Sequence, residues 1–147
     1  MAQPDVRLDP RGPRFGATFP LVLAAVALVL GAGTPGTVVM AVLAVLFLPG
    51  AIVGPQATLQ ALLFKALIRP RLAAPTETES FRPPRFAQQV GLVLSVAAVV
   101  FGLVGVSLGF YICTAFVLAA SFLNAVFGFC LGCEMYLLFT RLTTRAA

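Results

Sequence analysis

The sequence predicts an all-α integral membrane protein. Four transmembrane helices form two repeated hairpins, with short interfacial helices after the second and fourth spans. Three observations carry this. First, 60% of the 147 residues are hydrophobic and 10% are charged, against about 45–50% apolar and about 25% charged in soluble domains. That leaves too little polar surface to face water, and at about 20 residues per span the length admits four crossings. Second, the apolar residues fall into four runs separated by turn-forming or charged stretches. Third, the chain repeats itself.

Residues 1–14 form a polar, Arg- and Pro-rich cytoplasmic tail, and residues 15–147 form a single membrane domain. The first span is expected at about 15–33. A charged start before an apolar run also fits a signal peptide. However, Gly31 to Thr37 reads as a turn rather than a cleavage site, and a second apolar run begins at once. The second span is expected at about 38–54, kinked where Pro49-Gly50 removes a backbone hydrogen bond.

An amphipathic helix is expected at 55–69, with Leu59, Leu62, Leu63, Ala66 and Leu67 on one face and Gln56, Gln60 and Lys65 largely off it. Pro55 suits its start and Pro70 its end. Such a helix either lies in the membrane interface or packs on its own bundle as a loop helix. A polar loop at 70–88 leads to spans at about 89–106 and 109–129, then a C-terminal segment at 130–147. That segment either continues the fourth helix or forms a separate interfacial one.

The repeat is visible in Arg11-Gly-Pro-Arg14-Phe15 before the first span and Arg82-Pro-Pro-Arg85-Phe86 before the third. Leu21-Val22-Leu23 and Leu92-Val93-Leu94 follow at the same offset, and Leu62-Leu63-Phe64-Lys65 matches Leu137-Leu138-Phe139-Thr140. Two copies in one orientation predict a pseudo-twofold axis along the membrane normal. Arg14 and Arg85 sit just before hydrocarbon, within reach of lipid phosphate headgroups.

Every Lys and Arg lies in the N-terminal tail, between Lys65 and Arg85, or near the C-terminus; the other two connections carry no charge. The positive-inside rule then places both termini in the cytoplasm of a multi-pass protein of the cell membrane.

The absence of His excludes most acid/base and metal chemistry, so chemistry here would rest on sulfur. Cys130-Leu-Gly-Cys133 is a redox spacing and also half of a zinc site. At a helix N-terminus, free N–H groups and the dipole favour thiolate. Gly128 and Gly132 supply a possible break, while Glu134 opposes thiolate by its charge and offers a proton acceptor. On a continuous helix, Asn124, Gly128 and Gly132 would instead form a packing ladder, with the cysteines as packing residues. One chain offers Cys130, Cys133 and Glu134 but no fourth zinc ligand, and a dimer could give four thiolates across an interface; no metal and no cofactor are assigned. Cys113, about 25 Å along a helix from Cys130, reads as packing. Asn124 within a span needs a polar partner: a facing helix or a substrate. The cations suit anionic lipid, and no aromatic-basic interleaving points to nucleic acid.

The stretch from Ser121 to Tyr136, with its Phe-Cys-Leu-Gly-Cys-Glu core, and Arg82-Pro-Pro-Arg-Phe-Ala-Gln88 together resemble the domain of unknown function 4395 family. These are small bacterial membrane proteins, common in actinobacteria, with no established activity. The resemblance covers nearly the whole chain. By gene association it implies a thioredoxin-like protein or a rhodanese-type sulfurtransferase as partner. The expected function is therefore a cytoplasm-facing thiol-disulfide or persulfide relay, with Cys130 and Cys133 reacting and Glu134 tuning them. The alternatives are a passage for a small sulfur species, lined by Asn124 and the Pro49-Gly50 kink, or a structural anchor for a soluble redox enzyme.

Overall fold

A computed structural model describes residues 7–146; the reading of the chain before Arg7 as part of a polar tail lies outside them. Helix α1 (Arg11–Gly16) leads through Ala17 into α2 (Thr18–Leu30), and α3 (Thr34–Ile52) returns. A 3₁₀ turn (Pro55–Ala57) and α4 (Leu59–Leu63) follow, then one wide turn (Phe64–Ile68) and a second 3₁₀ turn (Arg69–Arg71). The second half is α5 (Arg82–Val104), α6 (Ser107–Phe127) and α7 (Leu131–Ala146). Four segments are long and apolar enough to cross a membrane: Arg11–Leu30, Thr34–Ile52, Arg82–Val104 and Ser107–Phe127. The expected fold class is the observed one.

Several boundaries differ from expectation. Helix α5 starts at Arg82, inside the stretch expected as loop, because Pro83 and Pro84 fall in a first turn, where the missing N–H groups have no ladder partner. Helix α3 runs through Pro49 and ends at Ile52, so the proline removes one bond without ending the helix. The segment after α3 is several short helical pieces rather than one helix. Its leucines face outward, with Leu59, Leu62 and Leu67 exposed, while Gln60 and Phe64 are buried against the bundle. That orientation favours the interfacial reading over packing of the leucines on the bundle.

The core joins all four long segments: Ala24, Ala27, Met40, Leu43, Phe47, Ala98, Phe110, Cys113 and Val117. Outside it the helices stay apolar, with Val29 87% and Leu103 75% exposed. An apolar exterior of this extent is what hydrocarbon, not water, accepts.

The internal repeat extends to contacts. Arg14 donates to the carbonyls of Ala125 and Val126 at the end of α6 (3.2 and 2.8 Å), and Arg85 donates to those of Ala51 and Ile52 at the end of α3 (3.3 and 2.9 Å). Each entry arginine thus caps the last turn of the other half, where a cation meets orphan carbonyls and the negative end of the helix dipole. Phe15 packs on Phe64 at 5.8 Å between ring centroids, and Phe86 packs on Tyr136 at 5.7 Å. These pairs match Phe64 to Tyr136, so the match of Leu62–Lys65 to Leu137–Thr140 is three residues out of register.

The entries themselves are joined. Strands β1 (Arg7–Leu8) and β2 (Glu79–Ser80) form a two-residue antiparallel ladder, with Leu8 opposite Glu79. Asp9 accepts from the Arg11 backbone N–H at 3.0 Å, as Ser80 accepts from that of Arg82 at 3.4 Å. The sequence alone did not reveal this ladder. Because Arg85 at the start of α5 meets the end of α3, α2 and α5 begin at the same end of the bundle. Both halves therefore enter the bundle in the same direction.

Candidate functional site

The helix break after α6 decides the site. Gly128 closes α6 with φ +67°, in the left-handed region that side chains disfavour. Cys130 then stands immediately before α7, and its carbonyl accepts the Glu134 N–H at 3.0 Å. The Cys133 backbone N–H donates to Cys130 Sγ at 3.1 Å. Sulfur thus occupies the place of an N-cap oxygen. The equivalent helix of the first half has an oxygen there: Thr58 Oγ1 accepts from the Ala61 N–H at 3.1 Å. Where one half has Thr58-Leu-Gln-Ala61, the other has Cys130-Leu-Gly-Cys133. The Cys-x-x-Cys spacing is therefore in one copy only.

Cys130 and Cys133 form a disulfide, with Cα atoms 5.1 Å apart. That separation lies within the about 7 Å that a disulfide requires. Gly132, between them, lets α7 close on α5: a Cβ there would lie 2.8 Å from Ala87 Cα. The two glycines thus have separate roles, a turn and a close approach. The ladder of Asn124, Gly128 and Gly132 along one helix does not form, because the helix ends between them.

The disulfide borders a cavity of about 1020 Å³ between the two halves. Asn124, Gly128, Cys130, Cys133, Glu134 and Arg14 line it; Gly132, Arg85, Pro49 and Gly50 do not. Its mouth is charged, with Asp9, Arg11, Lys65, Arg69, Glu79 and Glu134. Its depth is neutral and reaches Phe47, Gly91, Leu94 and Val117, the last about 15 Å along α6 from Phe127. Beyond it, Met40, Leu43, Ala98, Phe110 and Thr114 are fully buried and fill the other end of the bundle. Glu134 is exposed in the first turn of α7. At the rim, hydrogen bonding from Arg11 holds the Asp9 carboxyl below its usual value, against the opposing effect of burial.

Sequence reasoning missed the glutamines. Gln56, Gln60 and Gln88 line the cavity, and each has a buried side-chain oxygen with no hydrogen-bond partner among the described residues. Gln60 is 5% exposed. Its position off the leucine face was the available signal, but that pattern reads equally as a water-facing side. Cys113 is buried in the core beside Phe110, as its packing reading requires. Among the described residues, no three His, Cys, Asp or Glu side chains group to hold a metal ion.

Residues 8–141 match the family described as Domain of unknown function (DUF4395). The chain belongs to the DUF4395 family. No curated protein and no solved structure matches the chain. The family's description assigns no activity.

Proposed function

We propose that this DUF4395 protein is a membrane thiol-disulfide relay whose working pair is Cys130 and Cys133. The supporting observation is the Cys130 sulfur at the start of α7, receiving the Cys133 N–H while bonded to Cys133 at the edge of a cavity. When the disulfide opens, the same N–H and the helix dipole favour a thiolate on Cys130, which is the nucleophile of disulfide exchange. Glu134, next to Cys133 in sequence, is proposed to tune the pair. A persulfide carried on Cys130 would use the same stabilisation.

The charge asymmetry supports a cell-membrane protein with both termini and the pair on the cytoplasmic side. A thioredoxin-like protein or a rhodanese-type sulfurtransferase is the proposed soluble partner. Arg14 and Arg85, besides capping helices, are proposed to reach lipid phosphates. The passage reading has a cavity lined by Asn124, but the filled far end of the bundle favours a binding cup over a conduit. In the anchor reading the cysteines would be dispensable.

The test traps the exchange. Cys133→Ser leaves Cys130 unable to resolve a mixed disulfide, so the attached partner can be isolated and identified. An impermeant thiol reagent should label the reduced pair in inside-out vesicles and not in right-side-out ones. If the pair stays unreactive in native membranes and the double Ser variant fully complements a deletion, the relay is wrong and the anchor reading replaces it.

A further inference from the structure

We propose that the cavity beside the disulfide binds the head group of a lipid-soluble quinone, which takes the two electrons released when the Cys130/Cys133 dithiol closes. The proposal rests on the relay reading and names its electron acceptor.

The cavity runs within the bundle, at the depth of the apolar segments, and its deep lining is neutral. A charged substrate would meet its complement only at the mouth. Gln60 is nearly fully buried, lines this cavity, and holds an unpartnered amide oxygen. Gln88 also lines the cavity, next to Ala87, against which Gly132 of the cysteine turn packs; its own amide oxygen lies against Gly50 of α3. Buried amides without partners are costly and point to a ligand with polar atoms.

The two redox forms of a quinone make opposite demands. A quinone offers two hydrogen-bond acceptors, and a hydroquinone offers two donors. A primary amide carries both a donor and an acceptor, so glutamine serves both forms, whereas a carboxylate or an ammonium serves one. The volume admits a ring with the start of an isoprenoid tail.

The reaction balances without a further reagent. The two thiols lose two protons and two electrons as the S–S bond forms. The two quinone oxygens gain them and become hydroxyls. The disulfide is then passed to a partner dithiol, which restores the thiols.

The test uses the full chain in lipid nanodiscs with decylubiquinone, whose fully substituted ring offers no open position for thiol addition. In the Cys130→Ser/Cys133→Ser variant, binding should be saturable above partition into empty nanodiscs. Adding Gln60→Met should weaken it about tenfold or more without lowering the melting temperature, since an unpartnered amide is removed. Gln88→Leu is the second arm, should Gln60→Met fail to fold. With the reduced native chain, each quinone reduced should yield one disulfide. No saturable binding, or binding indifferent to both glutamines, overturns the quinone site; a successful mixed-disulfide trap would still leave the relay standing. Saturable, glutamine-dependent binding with no oxidation of the reduced pair instead overturns the electron transfer, and the mixed-disulfide trap still decides the relay.

Discussion

Cys130 uses one sulfur in two ways, as half of a disulfide and as acceptor for a helix N-terminus. Its partner in the repeat, Thr58, shows that the capping role needs no sulfur. Cys130→Ser should therefore preserve the fold, with a melting temperature near that of the reduced native chain, while abolishing exchange. Gly128 is less replaceable. Gly128→Ala places a side chain at φ +67°, which should destabilise by about 1 kcal/mol, read as a lower melting temperature in detergent. Asp9 gives a pH signature. Its folded pKa is depressed, so its contribution is complete above the ordinary carboxylate value and is lost as pH falls through the lower folded value. Asp9→Asn should thus lower the melting temperature at pH 7, with the difference shrinking below about pH 4. Equal destabilisation at both pH values would show that Asp9 acts through packing.

At the scale of elements, α7 is held on α5 by the Gly132–Ala87 approach and the Phe86–Tyr136 contact. Gly132→Val should push α7 off α5 and expose the pair, seen as faster labelling of the reduced cysteines with little change in helix content. The two capping arginines offer a matched comparison. Arg14→Ala and Arg85→Ala each remove a charged donor from two carbonyls, at about 1 kcal/mol or more. Similar losses in melting temperature are expected from the two, and a loss from only one would show that the halves are energetically unequal. The arginines were legible as paired entry residues, because the motif recurs around them. Their carbonyl partners were not, since those lie over 30 residues away in one case and over 110 in the other.

At the scale of the molecule, the two halves exchange contacts: the start of each caps the end of the other, and Leu8 and Glu79 pair where the entries meet. The charged end of the bundle holds these entries, the cysteine turn and the cavity mouth. A reporter fused at Arg145 should therefore be active on the cytoplasmic side, and one inserted between Gly31 and Thr37 on the opposite side. A periplasm-active reporter at Arg145 would reverse the proposed orientation.

The sequence by itself determined the membrane class, the four apolar segments, the repeat and the Cys-x-x-Cys spacing. Each is a property of residues taken in order: hydrophobic run length, charge placement, recurrence of a motif and a cysteine separation. Only the tertiary structure decided which way the amphipathic segments face, that the helix breaks at Gly128, and that three glutamines surround a cavity beside the disulfide. The physical reason is that a polar residue beside an apolar stripe satisfies the same pattern whether it meets water or the bundle interior. In this chain the leucines of that stripe turn outward, and Gln60 is carried inward to the cavity.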